Sequence, residues 1–162
     1  MTDRAIPREP TFTTPDTTQT ISAGPLRVRY LLDASHRGAF SVLELQAAPG
    51  FIGPPMPHHH TREEASFLVL EGALTIAIAG TDHQVSAGGL AHLPPGVDFT
   101  WGNASTELPA RFLCVYAPAG FEQMFADVQS AFAALGAPPT PAAMRDVMPP
   151  IWQKYGIALP TP

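Results

Sequence analysis

His58-His59-His60 is the part of this chain best equipped for chemistry. In an extended segment, side chains on alternate residues project to the same side. His58 and His60 therefore share one face, and His59 takes the other. Two imidazoles held together support two kinds of chemistry. They can coordinate a divalent transition ion, or move protons near neutral pH, because free imidazole titrates at about 6.5. The carboxylates expected to work with them are Glu64, four residues on, and Glu44 on an earlier strand. Glu64 reaches the imidazole side only if a β-bulge between residues 61 and 66 shifts the register. Glu44 shares a strand face with Phe40, Val42 and Gln46, and pairs with the imidazoles if that face is turned inward.

A series of short strands must position these groups. The alternation and turn residues predict strands at Leu26–Leu32, Phe40–Gln46, Ser66–Leu70, Ala73–Ala79, His83–Ser86, Leu90–Leu93, Asp98–Trp101 and Ala110–Ala117. Glu71-Gly72, Gly80-Thr81-Asp82, Gly88-Gly89 and Pro94-Pro95-Gly96 punctuate them. Short strands with closely spaced turns predict an all-β sandwich or barrel. Further on, Phe121, Met124, Phe125, Val128, Phe132 and Leu135 recur at helical spacing, and Gly136 ends that helix. Thr140-Pro141 is expected to cap a second helix running to about Met148, where Pro149-Pro150 stops it; Ile151–Tyr155 then adds one more turn. The resulting division is a flexible arm over 1–20, a barrel over 21–118 and a helical extension over 119–160.

Composition narrows the function. The 162 residues are 45% apolar and only 14% charged, with a net charge of −5, enough for one globular domain. Lysine and arginine form no cluster, which argues against a nucleic-acid partner. No run approaches the roughly 18 apolar residues of a membrane span, and residues 1–20 hold no apolar leader segment. Cys114 stands alone in an apolar strand and is expected to be a packed thiol in a reducing compartment. The expected location is cytoplasmic.

Pro54-Pro55-x-Pro57-His58-x-His60 followed by Phe67-Leu68-Val69-Leu70-Glu71-Gly72 resembles the first cupin motif. Gly88, Pro94-x-Gly96 and Asn103 resemble the second. Phe40–Glu44, Ala117–Glu122 and Lys154–Ile157 are similar to the entry strand, exit helix and tail of small cupins of the quercetin-dioxygenase-like and polyketide-cyclase-like group. The resemblance implies an all-β cupin fold, a double-stranded β-helix or jelly-roll barrel with C-terminal α-helices. It also implies pairing into a homodimer, with the arm exchanged between subunits. In such cupins two His from the first motif, a Glu, and a His from the second hold Fe, Mn, Ni, Cu or Zn. Here the metal positions carry His58 and His60, but the Glu position falls on Ala65 and the second-motif His position on Phe99. His92 is the remaining candidate for a third imidazole, and its apolar surroundings predict a buried, hydrogen-bonded ring. The cofactor is therefore either absent or a single divalent transition metal.

If Phe99 faces inward, Trp101 joins it by period 2, and Phe67 joins Ala65. The expected pocket is apolar and aromatic, lined by Phe67, Phe99, Trp101, His92 and Glu44, with His58, His60 and Glu64 as catalytic groups. Such a pocket suits a cyclic or aromatic small molecule. The expected activity is acid–base chemistry of the isomerase, cyclase or dehydratase type. A quercetinase-like dioxygenase with a rearranged ligand set and a non-catalytic small-molecule-binding cupin are the alternatives.

Overall fold

The computed structural model describes residues 10–36, 38–54, 56–136 and 141–160. Strands β1 (Thr20–Ala23), β2 (Leu26–Leu32), β3 (Ser41–Ala47), β4 (His59–His60), β5 (Glu64–Glu71), β6 (Ala73–Ile78), β7 (Thr81–Ser86), β8 (Leu90–Leu93), β9 (Phe99–Gly102) and β10 (Ala110–Ala117) come first. Helices α1 (Gln123–Ala134) and α2 (Pro141–Tyr155) and a short strand β11 (Ile157–Ala158) follow. One sheet has six strands in the order β1-β2-β3-β10-β5-β8, and a second has three in the order β7-β6-β9. All pairs are antiparallel.

Strict alternation builds the core. Ser41, Leu43, Leu45 and Ala47 of β3 are buried, as are Ala110, Phe112, Cys114 and Tyr116 of β10. Ala65, Phe67 and Val69 of β5 join them. Leu74, Ile76 and Phe99 face them from the smaller sheet. Two sheets with one apolar face each bury those faces against one another. The chain turns sharply from β5 into β6 at Gly72, whose φ is +71°; a Cβ there would sit 2.6 Å from the Pro109 carbonyl oxygen. Asn103 pins the loop after β9: its Nδ2 donates to the carbonyls of Ala48 and Leu108, and its Oδ1 accepts from Ser105 N.

Several sequence expectations are adjusted. The arm begins to pair earlier than expected, because Thr20–Ala23 already forms β1 against β2; residues 1–9 lie outside the described residues. The expected Thr140 cap also lies outside them. Pro149-Pro150 does not stop the second helix, which runs through both prolines to Tyr155. Proline removes a helical hydrogen bond, so tertiary contacts must hold this last turn. Lys154 Nζ and Tyr155 Oη both donate to Asp127 of α1, at 2.6 and 2.7 Å, and Arg62 donates to the Lys154 carbonyl at 2.9 Å. Among the described residues no helix is long and apolar enough to cross a membrane.

Candidate functional site

β4 places the histidines. His58 and Phe99 exchange both backbone hydrogen bonds, so their side chains lie side by side, with ring centroids 4.6 Å apart. His60 pairs with Ile157 of β11, and its carbonyl accepts from Gly96 N. His58 and His60 are 3% and 5% exposed, with ring centroids 5.8 Å apart. His59, between them, turns outward and meets Asp98 at 2.7 Å. Phe121, at the start of the α1 region, packs on the His60 ring at 4.3 Å, and Tyr116 lies nearly parallel to it at 6.1 Å.

The carboxylate at this end is Glu63, a residue the sequence reading did not single out. Glu63 is 4% exposed, and its Oε1 lies 2.6 Å from His60 Nδ1. The signal was present in the strand alternation: counting back by two from buried Phe67 and Ala65 reaches Glu63. The C-terminal tail fixes the turn between His60 and Glu63. Thr61 donates to the Gly156 carbonyl through both its backbone N–H, at 2.9 Å, and its Oγ1, at 2.8 Å.

Three expected site residues lie elsewhere. Glu64 heads β5 on its outer face, and no bulge returns it; its side chain is 58% exposed and stands 3.8 Å from His92 Nε2. His92 is not buried. It pairs with Ser66 in the β5–β8 register, and its Nδ1 meets Ser66 Oγ at 2.9 Å on that outer face. Glu44 also faces outward, held by Arg29 at 2.9 Å and Arg111 at 3.1 Å. The physical reason is common to all three: their strand neighbours, Leu43 and Leu45, Ala65, and Leu93, take the inward positions.

Phe67, Phe99 and Trp101 do lie on the inner side. Phe67 stands 6.3 Å from Phe99 and 6.1 Å from Trp101, and Trp101 is 5.4 Å from Phe112. Much of the inner aromatic surface is thus ring packed on ring. A groove of about 400 Å³ opens by the three-stranded sheet, lined by Phe51, Ile52, Thr75, Thr100 and also by Trp101.

Electrostatics marks out His58. Burial, and then the neighbouring His60, holds His58 down to a pKa of about 4, so it is neutral at pH 7. The Met56 carbonyl pulls weakly the other way, yet His58 Nδ1 completes no hydrogen bond among the described residues. Cys114 is buried, and burial pushes its thiol well up, consistent with a packed side chain.

The donor set does not fit a four-ligand metal centre. Ala65 and Phe99, both fully inside, occupy the two remaining ligand positions with a methyl group and an apolar ring. Glu63 is engaged with His60 Nδ1, and no group of three or more His, Cys, Asp or Glu side chains among the described residues is arranged to hold an ion.

Two antiparallel sheets packed face to face, with paired histidines ahead of β5 and a glycine-proline turn ahead of β9, define a β-sandwich of the cupin class. The family described as "Cupin domain" has a model that matches residues 44–116, and the fold is the cupin jelly roll followed by two C-terminal helices. Among solved structures, KdgF from Halomonas sp. is similar at 14% identity and a TM-score of 0.61, covering 71% of this chain and 99% of that one. An RmlC-like cupin from Shewanella frigidimarina matches at 19% identity and a TM-score of 0.57, covering 68% and 93%. A sugar phosphate isomerase of the cupin superfamily from Silicibacter pomeroyi matches at 25% identity and a TM-score of 0.50. That match covers 57% of this chain and 59% of the isomerase chain. No curated protein matches the chain by sequence.

Proposed function

We propose that this cupin is an enzyme that moves a proton within a small, largely apolar metabolite, with His60 as the base and Glu63 as its positioning partner. The observation that carries this reading is the buried 2.6 Å contact between His60 Nδ1 and Glu63 Oε1. An ionised carboxylate only accepts, so Nδ1 carries the hydrogen and Nε2 keeps its lone pair. A carboxylate held on one ring nitrogen fixes the tautomer and stabilises the imidazolium formed when the other nitrogen takes a proton. His60 Nε2 then removes a proton from carbon or oxygen and returns it elsewhere, which is the minimum an isomerisation, dehydration or cyclisation requires. His58, neutral beside it, offers a hydrogen bond to the reacting molecule. The similarity to a sugar phosphate isomerase is compatible with proton transfer as the reaction class.

The test compares the chain with Glu63→Gln and His60→Gln variants on a mixed metabolite pool, read by mass spectrometry. A compound converted by the unmodified chain and left intact by both variants supports the reading; conversion at the same rate by Glu63→Gln rejects it.

A non-catalytic ligand-binding cupin is the second reading. It is favoured by the packing of Phe67, Trp101 and Phe112 on one another, which leaves less of the interior for a reacting molecule. A compound retained by the unmodified chain and recovered chemically unchanged would select it.

A further inference from the structure

The edge of an open β-sheet carries backbone N–H and C=O groups with no strand to meet them. Three edges of the two larger sheets are blunted. β1 is four residues long, α1 packs beside it, and Gln129 of that helix donates to the Ser22 carbonyl at 3.4 Å. β8 is four residues long and runs into Pro94-Pro95. The free side of β9 is taken by the loop before β4, where Gly53 N donates to the Trp101 carbonyl and His58 exchanges both bonds with Phe99. β7 differs from all of them. It is six residues long, holds no lysine or proline, and is exposed at every position but Val85.

The β6–β7 hairpin fixes which groups of β7 face outward. Ala79 and Gly80 have positive φ, 50° and 77°, and make the tight turn that pairs Ile78 with Thr81. At the other end Ala87 N donates to the Gly72 carbonyl at 3.1 Å. Antiparallel bonding alternates by two, so Thr81, His83 and Val85 bond to β6. Asp82, Gln84 and Ser86 direct their N–H and C=O groups away from it. The Ser86 carbonyl already accepts from Gly89 N at 2.8 Å, which closes the edge there. The groups left open are those of Asp82 and Gln84. Among the described residues, no backbone group meets them.

We propose that β7 is an assembly edge, and that its partner is β7 of a second copy of this chain, paired antiparallel about a two-fold axis at His83. The three-stranded sheets of the two copies then run into one another. The residues themselves select this register. Asp82 exchanges both bonds with Gln84 of the second copy, and symmetry repeats the exchange. Their side chains also face each other, a carboxylate opposite an amide that donates to it. An axis at Asp82 sets two carboxylates face to face. An axis at Gln84 needs the Ser86 carbonyl that Gly89 holds. A strand that satisfies its own reverse in this way points to a second copy rather than a foreign peptide. The arm expected to pass between subunits enters the other sheet, at β1, so this contact is separate from it.

Such an edge buries far less than a permanent dimer requires, so the pairing is weak. Sedimentation of the full chain should show monomer at about 10 μM and a growing dimer fraction towards about 1 mM. Over that range the amides of Asp82 and Gln84 should gain protection from hydrogen exchange, while those of His83 and Val85, already bonded to β6, stay as they are. Gln84→Lys faces Asp82 of the second copy in both halves and should tighten association about fivefold at low salt; Gln84→Glu should weaken it by a similar factor. Register is read by oxidising variants with one added cysteine, because Cys114 is buried. His83→Cys lies on the axis, with Cα atoms about 4.5 Å apart, and should bridge readily. Thr81→Cys, about 13 Å from its copy, should not. Monomer throughout the range, association that leaves both amides unprotected, Gln84→Lys and Gln84→Glu shifting it in the same direction, or bridging by Thr81→Cys rather than His83→Cys would each overturn the proposal.

Discussion

Two histidine–carboxylate pairs flank strand β5, on its opposite faces. On the inner side, His60 and Glu63 are 5% and 4% exposed and in hydrogen-bond contact at 2.6 Å. On the outer side, His92 and Glu64 are about half exposed and 3.8 Å apart, with Ser66 on the other ring nitrogen. Residue types are the same, and Glu63 and Glu64 are consecutive. What differs is strand parity, which sends one carboxylate into an aromatic interior and the other into water. An ion pair in water is screened and contributes little, whereas the buried pair has no solvent to fall back on. The comparison shows that strand parity decides whether a histidine beside a glutamate keeps its water or loses it.

The sharpest way to break this comparison is to neutralise each carboxylate in turn. Glu63→Gln should lower turnover by about 10²–10⁴, the usual worth of a positioned acid–base group, while Glu64→Gln changes it less than twofold. Equal losses in steady-state assays would show that parity is not what matters.

A pH series tests whether the inner face is as dry as its burial implies. His58 has its pKa lowered from 6.5 to about 4 on folding. Between those values the unfolded chain binds a proton that the folded chain does not. Stability from this group is therefore full above about pH 6.5, falls as pH drops through the window, and levels off below about 4, for a total of roughly 3 kcal/mol. Urea unfolding at pH 7.5 and pH 4.5 should show that loss in the unmodified chain and a smaller one in His58→Phe; matching slopes would count against a buried neutral His58.

Gly156→Ala attacks the tail that holds the inner face in place. Gly156 has φ of +70°, and a Cβ there would lie 2.7 Å from Thr61 Oγ1. The substitution should cost about 1–2 kcal/mol and weaken the turn that delivers Glu63, so thermal midpoint and turnover should both fall. Retention of both would detach the tail from the site. The smallest effect belongs to the outer pair, where His92→Ala should shift unfolding free energy by no more than about 0.5 kcal/mol; a loss of several kcal/mol in chemical denaturation would reveal a role the exposed geometry does not account for.

The barrel strands were readable because most carry alternation of apolar and polar residues and all lie between turn-forming residues, the latter being enough to bound Leu90–Leu93. Leu26–Leu32, Leu90–Leu93 and Ala110–Ala117 have the bounds that the pattern assigns. β1 was missed because four residues next to a Thr- and Pro-rich stretch hold too little alternation to detect. α2 runs past Pro149-Pro150 because its last turn is held from outside, by Asp127 and Arg62, which local propensity does not register. His92 was misplaced because Leu90, Ala91 and Leu93 are apolar on both sides and give no parity.

Taken alone, the amino-acid sequence determined an all-β sandwich or barrel and the inward pairing of His58 with His60, since these follow from period-2 geometry and short-range turn chemistry; that Ala65 and Phe99 stand where cupins carry Glu and His came from the resemblance. It also contained the parity of Glu63. Tertiary structure decided which carboxylate reaches an imidazole, that Arg29 and Arg111 hold Glu44 on the outer face, and that burial leaves His58 neutral at pH 7. Those outcomes depend on what is packed against each group and on how much water remains, and both are set by strands and helices far away in sequence.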